Sequence, residues 1–413
     1  MSLPALQRRL GLGDAVFIGL GSMIGAGVFA VWAPAAQAAG AWLLAGLAVA
    51  AVVAYCNATS SGQLAAAYPT SGGTYAYGRA ELGEWWGFIA GWCFVIGKLA
   101  SCAAMALIFA AYAAPPGWER PVAIVAVVAL VTVNLFGVTR TAQLTRIIVV
   151  VALLGLAVVV SAGVSTAGSA HPAALVPSGP YGVLQSAGLL FFAFAGYARI
   201  ATMGEEVKDP RRTIPRAIVL AFAGAVVIYT AVGIIVLTTL GAATAESAAP
   251  LADVVEAAGW SWALPIVRIS AAAASLGALL ALIAGIGRTT LAMAREGDLP
   301  RFLAAVHPRS HVPHRAELAT GLIVIAALTL VDVRGVIGFS SFGVLLYYLV
   351  ANLSAFRQRG QARRYPRVLQ VLGAIGCLVL AFSLPWQSVV AGAAVVALGV
   401  VIRAVRLRFS RAA

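Results

Sequence analysis

The sequence predicts an all-α protein that crosses a membrane many times, on three observations. Of its 413 residues, 62% are apolar and only 10% charged, with a mean hydropathy of +0.95; a soluble domain is roughly 45–50% apolar and about 25% charged. Mostly apolar runs of about 20 residues, the length a helix needs to cross a bilayer, recur along nearly the whole chain. No segment between those runs is long enough for a separate soluble domain of typical size. A soluble enzyme, a disulfide scaffold and a disordered chain are thereby excluded.

The runs fall near 13–34, 41–64, 86–113, 121–139, 146–165, 182–203, 214–240, 264–290, 316–332, 336–356, 368–384 and 386–404, which predicts twelve transmembrane helices in one domain over 1–413. Span 1 is unlike the rest. Gly19, Gly21, Gly25 and Gly27 fall within Ile18–Phe29, and at about 1 kcal/mol each against Ala a continuous helix is a poor account of that stretch. Span 3 carries Lys98, 13 residues beyond Trp85 and so about 20 Å along a helix, too deep to reach an interface easily. Span 5 has no ionisable residue from Ile147 to Ser161, and span 6 places Phe191, Phe192 and Phe194 around Gly196. Ser270 and Ser275 in span 8, with Ser22 in span 1, are weak candidates for a sodium site, since membrane hydroxyls usually bond their own helix. The loop 242–261, acidic through Glu246, Asp253 and Glu256, offers a cover and no chemistry.

Spans 1 and 6 are five apart. Interrupted spans at matching places of two halves point to a site between inverted repeats, here about 10–165 and about 180–356, followed by two C-terminal helices at about 368–404. Unwound backbone in a membrane has to line a cavity, because its free N–H and C=O groups find no partner in lipid. Close helix packing through small residues is the competing account of the glycines.

The net charge of +14 and pI near 10.3 raise the question of nucleic acid, and the placement of the charge answers it. Arg8, Arg9, Arg79, Arg140, Arg146, Lys208, Arg288, Arg295, Arg315, the run Arg357–Arg367 and Arg403–Arg411 gather on one side of the spans, while the other keeps Arg120 and Arg334. That is the positive-inside pattern, with both termini cytoplasmic and no nucleic-acid partner. The basic start, Met1–Leu10, runs into a full-length apolar stretch without a cleavage site, so no signal peptide is expected. Cys56, Cys93, Cys102 and Cys377 lie inside spans without metal-ligand spacing, and His171, His307, His311 and His314 lie in loops. No metal or cofactor is implied.

Four segments in order, Gly-Ser-Met-Ile-Gly-Ala-Gly-Val-Phe (21–29), Tyr-Pro-Thr-Ser-Gly-Gly-Thr-Tyr-Ala-Tyr (68–77), Gly-Glu-Glu-Val-Lys-Asp-Pro-Arg-Arg-Thr-Ile-Pro (204–215) and Met-Ala-Arg-Glu-Gly-Asp-Leu-Pro (293–300), resemble the amino acid/polyamine/organocation superfamily of permeases. The resemblance covers residues 10 to about 360; the last two spans match in hydropathy alone. It implies a leucine-transporter-like fold, with the amino acid substrate held between breaks in helices 1 and 6. Backbone N–H groups of Gly25, Ala26 and Gly27 then suit a carboxylate, and carbonyls around Met23, Ile24, Phe192 and Ala195 suit an ammonium group. Phe192 aligns with the family's aromatic gate, against plain core packing as the alternative.

Cation-selective relatives carry an acid where Gly97 stands, and many have Asp or Glu where Ala198 stands, followed here by Arg199. Neutral or acidic amino acids are therefore expected over cationic ones. Lys98 matches a pocket-lining position and is also a candidate coupling group; the helix 5 lysine of sodium-independent relatives has no counterpart. Glu205, paired with Arg199 or Arg146, is a candidate inner gate. The resulting expectation is a permease of the bacterial inner membrane driven by protons or exchange, with uptake and export, and monomer and homodimer, left open. A membrane enzyme lacks a nucleophile–base pair or metal cluster, a channel lacks charge rings or a filter repeat, and a receptor lacks a cytoplasmic domain to signal to.

Overall fold

The computed structural model describes residues 10–68, 72–136, 141–166, 176–201, 203, 207–308, 310 and 312–412. Each apolar run becomes helix. The first is α1 (Leu12–Met23), α2 (Gly27–Ala30) and α3 (Trp32–Ala39), followed by α4 (Leu43–Ala67). A helix that hydropathy does not predict, α5 (Gly73–Leu82), precedes α6 (Glu84–Ala113), α7 (Glu119–Leu135) and α8 (Thr141–Ser165). The second half contains α9 (Pro180–Phe194), α10 (Ala198–Ala201), α11 (Pro210–Leu240), the short α12 (Pro250–Ala257), α13 (Leu264–Arg295), α14 (His314–Leu330) and α15 (Val333–Arg357). The chain ends with α16 (Arg367–Ser383) and α17 (Trp386–Ala412).

Among the described residues nine helical segments are long and apolar enough to cross a membrane. The helices α7, α14 and α16 have 17 residues each, about 26 Å at 1.5 Å per residue, a little short of a bilayer core of roughly 30 Å. Local chemistry sets several boundaries. Asp14 accepts from the Gly11 N–H at 3.0 Å ahead of α1, Asp332 caps α15 through the Gly335 N–H at 2.9 Å, and Pro180 and Pro210 open α9 and α11, where a missing N–H costs nothing. Gly83, at φ 104, makes the corner between α5 and α6 that a side chain would strain.

The buried centre is α6 against α13 and α15, with α4 packed on α9, α11 and α15, and α17 facing outward along most of its length. Small residues allow the close approaches: a Cβ on Gly97 of α6 would stand 3.2 Å from the Val344 nitrogen of α15, and one on Gly343 would stand 2.9 Å from the Cys93 carbonyl. The four cysteines are buried and unpaired with each other. Cys377 donates to Asn57 at 3.3 Å, Asn57 accepts from Asn352 at 2.6 Å, and Asn352 accepts from Ser60 at 2.7 Å, a buried polar seam that joins α4, α15 and α16.

At the end of the bundle where the arginines gather, two segments quoted above for their family resemblance meet. Tyr75 of α5 donates to Asp298, just beyond α13, at 2.8 Å. Arg79 lies 3.3 Å from the same carboxylate, and Arg403 of α17 reaches it at 2.7 Å. The opposite end holds Arg120 and Arg334 and also Arg268, in the second turn of α13, which the span boundaries hide in the sequence.

Candidate functional site

Helix 1 breaks where its glycines predict. Ile24 closes α1 by donating to Leu20 at 2.6 Å, and helical bonding resumes with Phe29 and Val31 donating to Ala26 and Gly27. Among the described residues the N–H groups of Gly25, Ala26 and Gly27 have no hydrogen-bond partner, and all three residues are buried. Buried backbone donors are nearly always paired, so three consecutive open ones are an exception that asks for an acceptor.

Helix 6 breaks beside it. After Phe194 the chain tightens to a 3-10 turn, Ala195–Tyr197, before α10. Gly196 lies on the carbonyl of Ser22, so closely that a Cβ there would enter it and come within 2.6 Å of the Met23 nitrogen. Gly27 faces Ala193 in the same way, its Cβ position 2.8 Å from the Ala193 Cα. The two interruptions thus touch at two points, and only hydrogen atoms fit between them.

Three tyrosines to which the sequence reading assigns no role donate to carbonyls at or beside the breaks. Tyr229 of α11 places its hydroxyl 2.6 Å from the Met23 carbonyl and 2.9 Å from that of Ala193, spanning both breaks. Tyr348 of α15 donates to Ala195 at 3.2 Å, and Tyr77 of α5 to Ala201 at 3.2 Å. The Met23 carbonyl, expected to be open to an ammonium group, therefore already accepts one hydrogen bond, with its second lone pair remaining. A signal for these residues exists in the sequence: a tyrosine in an apolar span needs a partner for its hydroxyl. Tyr229→Phe is expected to keep the ring on Phe194, 4.9 Å away, yet remove the one hydroxyl proton that the Met23 and Ala193 carbonyls share. That costs about 1–3 kcal/mol and is checked by thermal unfolding together with substrate affinity.

Of the three aromatics in span 6, Phe191 packs edge-on to Tyr348 at 5.8 Å, and Phe194 packs on Phe222 and Tyr229. They belong to the core. Phe192 makes no ring contact among the described residues and keeps 8% of its surface open.

Lys98 occupies the middle of the 30-residue α6, 8% exposed, with no ion pair or hydrogen bond among the described residues. Its neighbour Gly97 faces the α15 backbone, so in this chain that position is filled by helix packing and has no room for a side chain. Arg199 lies in α10 next to the break, and Glu205 lies outside the described residues. Arg146, the other proposed partner for Glu205, is paired with Asp14 at the start of α1. The candidate sodium hydroxyls are divided: Ser22 donates to Ile18 at 2.8 Å and Ser270 to Val151 at 2.9 Å, while the buried Ser275 hydroxyl has no partner among the described residues. Among the described residues no group of three His, Cys, Asp or Glu side chains is placed to hold a metal ion.

Sequence comparison with known proteins gives the family. The sequence model of the family described as "Amino acid permease" matches residues 14–407. An uncharacterized transporter of Mycobacterium tuberculosis is 58% identical over 412 residues, which cover 99% of this chain and 93% of that protein. The branched-chain amino acid permease of Bacillus subtilis is 25% identical over 94% of this chain and 90% of its own length. The human cationic amino acid transporter 4 is 28% identical over 88% of this chain and 61% of its own.

Proposed function

Because the chain belongs to the amino acid permease family, whose members are membrane transporters and not enzymes, we propose that it moves neutral or acidic amino acids across the plasma membrane as a secondary active transporter. One observation carries the reading of the site: the open, buried N–H groups of Gly25, Ala26 and Gly27 lie against a second break in helix 6. They bind the substrate carboxylate, at the positive start of the outer part of helix 1. The ammonium group meets the Ile24 carbonyl, the remaining lone pair of Met23 and the carbonyls near Phe192 and Ala195. Phe192, free of aromatic partners, closes over the substrate.

Lys98 supplies the positive charge of the side-chain pocket and exchanges the coupling proton. Arg199 and Glu205 form the inner gate, opening and closing as the two five-helix repeats rock about the breaks. Twelve helices span the bilayer, with the arginine-rich end and both termini in the cytoplasm. An amino acid or polyamine exporter or antiporter built on the same site is the second reading.

The test is thermal stabilisation of the purified protein by the natural amino acids and simple polyamines at two pH values, since a ligand that binds the folded state raises the melting temperature. Neutral or acidic amino acids are expected to stabilise it, and Lys98→Ala to lose that effect. Stabilisation by arginine, lysine or putrescine alone would overturn the charge preference.

A further inference from the structure

Two buried carboxylates occur among the described residues, and they differ in kind. Asp298 is surrounded by Arg79, Arg403 and Tyr75. Glu317, in the first turn of α14, is 2% exposed and makes no ion pair or hydrogen bond among the described residues, and its Oε2 is sealed from solvent without a partner. The stem of Glu317 lies on Gly287 of α13, where a Cβ would come within 2.9 Å of its Cγ and 3.2 Å of the Pro313 ring. The missing side chain at Gly287 is what admits the carboxyl into the α13–α14 seam.

The charged and titratable surroundings are few. From α13 the nearest charge is Arg288, next to Gly287, exposed and beyond ion-pair distance. On its own helix His314 lies one turn before it, with a buried Nδ1 that has no partner among the described residues. The His307 ring stands edge-on to His314 at 5.6 Å, its Nδ1 occupied by the Ser310 N–H at 3.2 Å. The helices α6 and α7 and the turn Arg301–Ala304, which carries Arg301, also pack on α14 and bring no charged group within ion-pair distance of Glu317 among the described residues, and Arg315, two residues before it, is exposed and turned to the Phe302 carbonyl at 3.5 Å. A glutamate in a helix's first turn ordinarily faces water and interacts with the helix dipole; this one is enclosed with neither water nor a countercharge at one oxygen, a costly state for an ionised carboxylate.

We propose that Glu317 is a proton-binding site: it holds a proton while α14 is packed on Gly287, and gives it up to water when that seam opens at the arginine-rich end of the bundle. The proton leaves Glu317 as the carboxylate gains hydration and the attraction of Arg288. A carboxyl of this kind links the opening of α13 against α14 to pH, at a place about two helical turns from the end of the fold and separate from Lys98 and the helix breaks.

Two measurements on the purified full-length protein test this without any substrate, so a failure of the amino acid transport reading leaves both standing. The infrared carbonyl band of a protonated carboxylic acid is expected at neutral pH in the native protein and absent in Glu317→Gln. The melting temperature of the native protein is expected to fall as pH is raised from about 5 to about 8, because the unfolded state releases this proton near the ordinary glutamate value and the folded state does not; the fall is lost in Glu317→Gln. Absence of the band, or parallel pH profiles for the two proteins, overturns the proposal and leaves Glu317 as an ionised helix-terminal carboxylate. Should Glu317→Gln fail to fold, the band is followed with pH in Asp298→Asn, where Glu317 is the one buried carboxyl left among the described residues: its persistence supports the proposal and its loss overturns it.

Discussion

Gly196→Ala is expected to abolish transport. The added methyl group would enter the Ser22 carbonyl and press on the Met23 nitrogen, 2.6 Å away, and these are backbone atoms that cannot rotate aside. Overpacking costs about 1–3 kcal/mol even where neighbours can yield. Here the yielding element is the break itself, so separating α1 from the 3-10 turn after α9 also moves the open N–H groups of Gly25, Ala26 and Gly27. Uptake into liposomes is expected to fall to background, with a lowered melting temperature. Gly285→Ala in α13 is the control: nothing lies within 4 Å of its Cβ position, and Ala is the better helix former. Uptake by Gly196→Ala at the level of that control would mean that the two breaks do not depend on their contact.

Arg403→Met is expected to be the most destabilising change away from the breaks. The guanidinium of Arg403 bonds Asp298 at 2.7 Å and lies 4.9 Å and 4.8 Å from the ring centroids of Trp85 and Phe88. Arg403 is 5% exposed and the Asp298 side chain 4%. Removing one partner of a buried pair costs about 3–5 kcal/mol, because the other charge stays behind; with Arg79 and Tyr75 still in place the lower end applies. Burial already pushes the Asp298 carboxyl up, against the pull of Tyr75, Arg403 and Arg79. Without Arg403 it rises further, so the variant's deficit in melting temperature is expected to shrink as pH falls and the carboxyl becomes neutral. Adding Asp298→Asn to Arg403→Met should recover much of the loss at neutral pH. Equal deficits at all pH values, with no recovery in the double variant, would assign Arg403 a packing role on the two rings and no more.

The parts of the molecule that could be read from residues alone are those governed by local cost. Four glycines in nine residues carry their penalty wherever they lie, and the break at Ile24–Ala26 follows from it. Span positions follow from hydropathy because an apolar run has one way to satisfy its backbone in lipid. Pairings across the sequence are another matter. Nothing near Tyr229 announces that its hydroxyl lies between Met23 and Ala193, and nothing near Gly97 announces that α15 occupies the space where a side chain would go; both depend on which helices become neighbours. The Asp298 cluster draws on α5, α13 and α17, and α5 itself has too little apolar character for hydropathy to find. Lys98 and Glu317 stand between these cases: the sequence shows Lys98 to be deep, but only the packing shows that Glu317, one turn into its helix, is enclosed.

The place of Arg403 also bears on how the protein is made. Chains enter the membrane from the N-terminus, and Arg403 follows Asp298 by about a hundred residues, so at about 5–20 residues per second the ribosome reaches it roughly 5–20 s later. During that interval the nascent bundle holds Asp298 with Arg79 and Tyr75 alone, and α13 has no anchor to the last helix. Ribosome stalling or truncation before α17 would strand the chain in that state, with an under-neutralised carboxylate at the arginine-rich end of the bundle. Final assembly of the arginine-rich end thus waits on the last helix to be synthesised.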